Sequence, residues 1–137
     1  MNRLSVVIIT LNEEKNISDC LESVKWADEI IVLDSGSQDK TIEICKKYTS
    51  FVEEVPWRGF GRQKNAAIDR AHYDWIFVID ADERVSPELR EEIQSLLKKD
   101  SACSGYYVSR KSFFGNRLVL NCGLSLHYTT RLFIRNL

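Results

Sequence analysis

No aspartate or glutamate follows Asp100 in this 137-residue chain. All 20 acids precede residue 101, against 14 Lys and Arg there, so the first hundred residues carry −6. The remainder carries +5, from Arg110, Lys111, Arg117, Arg131 and Arg135. The sum is only −1, which implies no nucleic-acid partner. The basic end fits either a surface facing an anionic partner, such as membrane or phosphorylated glycan, or an ordinary solvated face. Long apolar runs are also missing. The start leads into a short run only, with no secretory leader, and no stretch is long enough to cross a bilayer. A cytoplasmic protein is expected, with peripheral contact at the inner membrane face left open. Cys20, Cys45, Cys103 and Cys122 form no Cys-x-x-Cys pair, which argues against a zinc site. Cys20 shares helical spacing with Ile17, Leu21 and Val24, as a core residue would. Neither a Gly-x-Gly-x-x-Gly fingerprint nor a Walker A lysine follows the first apolar run, which argues against nicotinamide dinucleotides and P-loop ATP chemistry. No repeat, low-complexity tract or linker divides the chain, so residues 1–137 read as one domain. Because it stops in or just after an apolar segment, that domain is expected to be incomplete at its C-terminus.

What is present is a set of short apolar runs: Val6 to Ile9, Ile30 to Leu33 and Trp75 to Ile79. Their continuous hydrophobicity predicts strands buried on both faces. Between them, residues 13–25 predict a helix with Asn12 as its N-cap and Glu13 and Glu14 in the first turn. Residues 38–48 and 61–71 predict two more. Ser86, Pro87 and the stripe Leu89, Ile93, Leu96 and Leu97 predict a fourth. A weaker strand runs from Phe51 to Val55. Strands alternating with helices imply right-handed βαβ units, hence an α/β fold with a mostly parallel central sheet flanked by helices. After residue 104 the pattern changes. Tyr106 to Val108, Leu118 to Leu120 and Arg131 to Arg135 read as strands, with a hairpin around Phe113 to Asn116, predicting an antiparallel C-terminal part.

In open α/β sheets, ligands bind at the carboxyl ends of the strands. Each main run ends in polar residues: Thr10-Leu11-Asn12-Glu13, then Asp34-Ser35-Gly36-Ser37, then Asp80-Ala81-Asp82-Glu83. Were the strands parallel neighbours, all three clusters would share one rim. Three carboxylates as close as Asp80, Asp82 and Glu83 repel unless a cation lies between them. Hard oxygen ligands suit Mg²⁺ or Mn²⁺, held by one or two carboxylates plus substrate phosphates. The chain is expected to turn after Asp80, so that Asp80 reaches a nucleoside and Asp82 the metal. Lys64 with Asn65 is placed to meet a diphosphate or a base edge, or belongs with Arg58 and Arg62 to a solvated basic face. Asn12 and Glu13 can equally be a helix cap and a dipole partner, and Ser35-Gly36-Ser37 an ordinary turn.

Taken in order, Ser5 to Glu14, Ile31 to Thr41, Gly61 to Asn65, Asp80 to Glu83 and Arg131 to Phe133 resemble glycosyltransferase family 2, which has the GT-A fold. The likeness is greatest to the subgroup that adds glucose to the inner core of bacterial lipopolysaccharide. The resemblance implies a uridine diphosphate (UDP) sugar donor, a glycan or lipid-linked acceptor, and Mg²⁺ or Mn²⁺. It implies that Thr10, Asn12 and Glu13 line the nucleoside pocket and that Asp34 binds uracil or ribose. Asp80 would lie at the ribose, Asp82 would hold the metal on the diphosphate, and Lys64 would assist at base or phosphate. The family inverts the anomeric centre in one displacement, with a carboxylate base on the acceptor hydroxyl and a metal on the leaving diphosphate. That base comes from well downstream of the Asp-x-Asp motif, and residues 101–137 hold no Asp or Glu. His127 is the titratable candidate there besides tyrosines, so the catalytic residue stays unassigned. His72 reads as a surface residue at a helix end. Two other readings remain: a metal-dependent phosphotransfer or nucleic-acid enzyme, with Glu13 as an additional acid, and a donor-binding fragment that does not transfer.

Overall fold

The computed structural model describes residues 1–99, 102–114, 117–118 and 128–135. In chain order the elements are β1 (Leu4–Thr10), α1 (Ile17–Val24), β2 (Glu29–Asp34), α2 (Thr41–Cys45), β3 (Val52–Glu54), α3 (Phe60–Asp69), β4 (Trp75–Val78), α4 (Pro87–Leu97), β5 (Gly105–Ser109), β6 (Phe113–Phe114), β7 (Arg117–Leu118) and β8 (Tyr128–Ile134). Six strands form one sheet in the order β3-β2-β1-β4-β8-β5. The first four run parallel, and β8 lies antiparallel to both β4 and β5. β6 and β7 pair antiparallel in a separate two-stranded sheet.

The apolar runs become β1, β2 and β4 because each has hydrophobic neighbours on both faces. On one face Val6, Ile8 and Phe77 pack with Ile17, Leu21 and Val24 of α1 and Ile93 of α4. On the other, Val7, Ile31, Leu33 and Ile76 pack with Ala67 of α3. A fully buried Leu or Ile side chain contributes about 1.5–3 kcal/mol, so these two layers fix the register of the sheet. That register places Thr10 opposite Asp34, and the parallel alignment brings the carboxyl ends of β1, β2 and β4 to one rim.

The helix expected over 13–25 is shorter. α1 is N-capped by Asn16, not Asn12, and Glu13 instead closes a turn, its carbonyl accepting from Asn16 N at 2.9 Å and Ile17 N at 2.8 Å. Asn12 lies at φ 53°, in the left-handed region that asparagine tolerates better than most residues. The helix expected over 38–48 contracts to α2. At α4 the expectation holds: Ser86 Oγ accepts from Leu89 N at 3.2 Å, with Pro87 in the first turn. The expected strand over 51–55 is β3. β5 contains Tyr106 to Val108, and β8 contains the stretch read from Arg131, inserted between β4 and β5. Val119, Leu120, Cys122 and His127 lie outside the described residues. Cys20 and Cys45 are buried thiols, each pushed up to about 12, chiefly by burial, in keeping with a core role. No helix among the described residues is long and apolar enough to cross a membrane.

Candidate functional site

The rim begins with a lattice between the loops that leave β1 and β2. Asp34 is fully buried at the end of β2. Its Oδ2 accepts from Thr10 Oγ1 at 2.7 Å and Ser37 Oγ at 2.6 Å, and its Oδ1 from Gly36 N at 2.9 Å and Ser37 N at 2.7 Å. An ionised carboxylate has about four acceptor positions, so Asp34 has none left. Gly36 reaches the first of these contacts with φ 96°, which a side chain would strain. Asn12 ties the same loops together. Its N–H donates to Ser37 Oγ, and its Oδ1 accepts from Gln38 N, both at 2.8 Å. Glu13 N donates to Thr41 Oγ1 at 2.8 Å, and Asp39 Oδ1 accepts from that hydroxyl at 2.5 Å. From the opposite side the buried Gln63 of α3 donates through Nε2 to Ser35 Oγ at 3.1 Å.

Beyond β4 the chain turns sharply. Glu83 N donates to Asp80 O at 2.9 Å, and Asp80 N donates to Glu83 Oε2 at 2.9 Å. The repulsion expected among the three acids is relieved by protein cations. Lys64 Nζ lies 2.8 Å from Asp80 Oδ1. Arg131, nearly buried on β8, reaches Asp80 Oδ2 at 3.4 Å and both oxygens of Glu83 at 3.1 Å. Arg110 adds a contact to Glu83 Oε1 at 3.2 Å. Burial by itself would raise the Asp80 carboxyl, but Lys64 and Arg131 outweigh it and hold Asp80 below the ordinary aspartate range. Asp82 differs from its neighbours. It is exposed and has no hydrogen-bond or ion-pair partner among the described residues.

Of the residues singled out by sequence, Lys64, Asp80 and Asp82 meet at one place, with Asp82 open to solvent. Thr10, Asn12 and Asp34 meet at another, linked to each other through Ser37. Glu13 stands at the edge of that lattice, its carboxylate accepting from Asn16 Nδ2 at 3.0 Å. Sequence reasoning gave no role to Ser37, Gln63 or Arg131, although all three lie inside the motifs it recognised. Ser37 bonds Asp34, three residues away, but also Asn12, 25 residues away, and the partners of Gln63 and Arg131 lie 28 and up to 53 residues away. Only the first of these separations lies within reach of a local pattern.

Among the described residues no group of three or more His, Cys, Asp or Glu is placed to hold a metal by itself. A single free hard carboxylate instead suits an Mg²⁺ or Mn²⁺ ion whose remaining ligands come from water and substrate phosphates. Asp82 is such a carboxylate, and the residues present fit that mode of binding.

Comparison with known proteins agrees with this arrangement. The family model "Glycosyl transferase family 2" matches residues 5–136. The lipopolysaccharide core biosynthesis glycosyltransferase LpsC of Rhizobium meliloti is 39% identical over 116 residues, covering 80% of this chain and 43% of LpsC. Glucosyl-3-phosphoglycerate synthase from Mycobacterium tuberculosis, solved with Mg²⁺ and UDP, superimposes with a TM-score of 0.58 at 30% identity, over 70% of this chain and 40% of that one. S. aureus TarS (residues 1–349), solved with UDP-GlcNAc, gives 0.58 at 25% identity, over 70% and 31%. The chain thus spans less than half the length of the relatives it matches. Its sheet, mostly parallel with an antiparallel part, is that of the GT-A glycosyltransferases, and the chain belongs to glycosyltransferase family 2.

Proposed function

We propose that this chain forms the donor-binding part of an inverting glycosyltransferase that moves a hexose, glucose by resemblance, from a UDP-sugar to a glycan or lipid-linked acceptor such as lipopolysaccharide core. The observation that carries the reading is an exposed Asp82, without a partner among the described residues, in the same turn as the Asp80 that pairs with Lys64, beyond the carboxyl end of a parallel strand. LpsC supports the acceptor class, and the UDP-bound relatives support the donor class.

Each residue then has a task. Asp82 would hold the divalent ion, which when bound supplies charge stabilisation to the departing diphosphate. Lys64 carries a positive charge to the same place, and it can exchange its contact with Asp80 for a phosphate oxygen as the donor enters. Asp80, once released, offers an acceptor to the ribose hydroxyls. Glu13 offers another at the β1 end of the pocket. Thr10, Asn12 and Asp34 shape the nucleoside pocket from behind, by fixing Ser37 and the 35–38 loop. A phosphotransfer enzyme with two metal ions would need a second unpaired acid, whereas Asp80 and Glu83 are already matched by Lys64 and Arg131, and Glu13, the additional acid of that reading, accepts from Asn16 at the entry to α1.

Titration calorimetry with UDP, with and without Mn²⁺, tests the reading. The wild-type chain is expected to bind UDP with Mn²⁺ present and to lose at least about tenfold in affinity without it, as it does when Asp82→Ala removes the ligand. Absence of Mn²⁺-dependent UDP binding by the wild type, or wild-type affinity in D82A, would falsify it.

A further inference from the structure

We propose that Arg131 is a positioning residue for the donor site: by holding Glu83 and Asp80 it shapes the turn after β4 and leaves Asp82 as the one carboxylate presented to the metal and diphosphate. The proposal rests on the donor reading above. Its physical basis is the complete use of one guanidinium. Arg131 Nε donates to Thr129 Oγ1 at 3.0 Å, Nη1 to Val78 O at 3.3 Å and Glu83 Oε2 at 3.1 Å, and Nη2 to Asp80 Oδ2 at 3.4 Å and Glu83 Oε1 at 3.1 Å. Arginine has five N–H donors in a fixed fork, and all five have partners here. Glu83 is equally committed: Oε2 serves Arg131 and Asp80 N, and Oε1 serves Arg131 and Arg110. It has no lone pair to give a metal while this arrangement stands.

Of the three acids, then, two are neutralised from inside the protein. A metal site made of all three would bind free divalent ions by itself. With Asp80 and Glu83 matched, the ion keeps one protein ligand and depends on the donor's phosphates for the rest, which couples metal binding to donor binding. The address of Arg131 is set by the sheet. β8 pairs with β4 so that Leu132 lies opposite Phe77 and Phe133 opposite Ile76. Leu132 belongs to the apolar layer on one face of the sheet, and Phe133 packs on the layer of the other. Side chains alternate along a strand, so a slip of one residue would send Arg131 to the face opposite its partners. The antiparallel strand is thereby part of the donor site, although none of its residues need touch the donor.

The test compares R131K, E83Q and D82N with the wild type by two readouts: amide hydrogen exchange at Asp80 and Glu83, and Mn²⁺ binding followed by electron paramagnetic resonance in the presence of UDP. Lysine keeps the charge but loses the fork. R131K is expected to speed exchange at Asp80 and Glu83 at least about tenfold, with Val7 and Ile31 unchanged, and to weaken Mn²⁺·UDP binding by a similar factor. E83Q should weaken it in the same way, and the double variant should add little, because the two act as a unit. Wild-type exchange and wild-type Mn²⁺ affinity in R131K would overturn the proposal. So would a uniform rise in exchange across β1 and β2, which marks a merely structural role, or a loss in E83Q as complete as in D82N, which would make Glu83 a ligand. If R131K fails to fold, E83Q decides: wild-type protection and affinity in that variant also overturn it. If the wild type itself binds no Mn²⁺·UDP, the donor reading fails, and exchange at Asp80 and Glu83 still shows whether Arg131 holds the turn.

Discussion

Asp34 and Asp82 stand on the same rim, separated by one strand, and differ in how many donors they already serve. Asp34 serves four and is inaccessible, while Asp82 serves none among the described residues and is exposed. Replacing them should therefore have opposite consequences. Asp34→Ala leaves two hydroxyls and two backbone N–H groups facing a cavity, and unsatisfied buried donors cost about 1–3 kcal/mol each before relaxation, so a loss on the order of 3 kcal/mol is expected. Asp34→Asn should cost nearer 1 kcal/mol, because the amide oxygen keeps Gly36 N and Ser37 N while the two hydroxyls rotate to accept from its NH₂. Urea unfolding midpoints would separate the two variants, and equal losses would mean that the lattice is less cooperative than its geometry. Asp82→Ala should stay within about 0.5 kcal/mol of wild type in the same assay, since Asp82 is exposed and has no partner among the described residues. The position of Asp34 after a buried strand was legible in the sequence, as was its polar company. Its commitment to Thr10 was not, because that depends on pairing β1 with β2 across 24 residues.

Two helix starts carry comparable capping devices for different purposes. Gly59 precedes α3 at φ 94°, its carbonyl accepts from Gln63 N at 2.9 Å, and a Cβ built there would meet nothing within 4 Å. The cost of Gly59→Ala is then one of backbone conformation, about 1–3 kcal/mol, because φ 94° with ψ 155° is a region essentially reserved for glycine. Ser86→Ala at α4 removes a side-chain cap at a cost of about 1 kcal/mol. The thermal midpoints of the two variants should fall by similar amounts. Only G59A should also weaken UDP binding in Mn²⁺, because α3 carries Lys64 and Gln63 into the site and α4 carries nothing there. A loss of binding in S86A as large as in G59A would show that global destabilisation, not the seating of α3, governs affinity. The α4 start was readable since Ser86-Pro87 and the apolar stripe are all local. The α1 start was misread for the converse reason. Asn12 has the chemistry of a cap, but Gln38 N and Ser37 Oγ claim it from another loop, and the helix waits until Asn16. Likewise β1, β2 and β4 announce themselves as uninterrupted apolar runs, whereas the insertion of β8 between β4 and β5 has no local signature.

Across the molecule, the separation of acidic and basic residues along the chain becomes internal pairing. Arg110 and Arg131, from the end without acids, lie against Glu83 and Asp80, and Arg135 donates to the carbonyls of Ile68 and Ala71 at the end of α3. At the amino end of the sheet a second buried acid is matched in the same way. Glu29 accepts from Ser5 Oγ at 2.5 Å and His72 N at 3.0 Å, and its other oxygen meets His72 Nδ1 at 2.5 Å. His72 was read as a surface residue at a helix end, and its ring is indeed largely exposed, but it also anchors this carboxylate. Burial alone would raise Glu29, yet the hydrogen bonds from Ser5 and His72 prevail and lower it below the usual glutamate value of 4.5. Asp80 is lowered below 3.8 against its own burial by Lys64 and Arg131. A carboxylate depressed in the folded state binds its proton more readily when unfolded. Its contribution to stability is complete above the unfolded value and is lost as pH falls through the folded one. The thermal midpoint should therefore show no loss from these two groups between pH 7 and about 5, then fall steeply below about 4.5, first through Glu29 and then through Asp80. Glu22 and Glu53 are lowered too, but they face solvent beside Lys25 and Arg70, where salt screens the pairing. Melting curves recorded from pH 7 to 3 in high salt suppress those two exposed pairs and leave Glu29, Asp80 and Asp39, the last lowered chiefly by its hydrogen bond from Thr41. Glu29→Gln should start lower at pH 7, having lost its charged acceptor, and then decline less steeply below pH 4.5 than wild type. Parallel curves for the two proteins would exclude Glu29 as a source of the acid transition and leave it to Asp80 and Asp39.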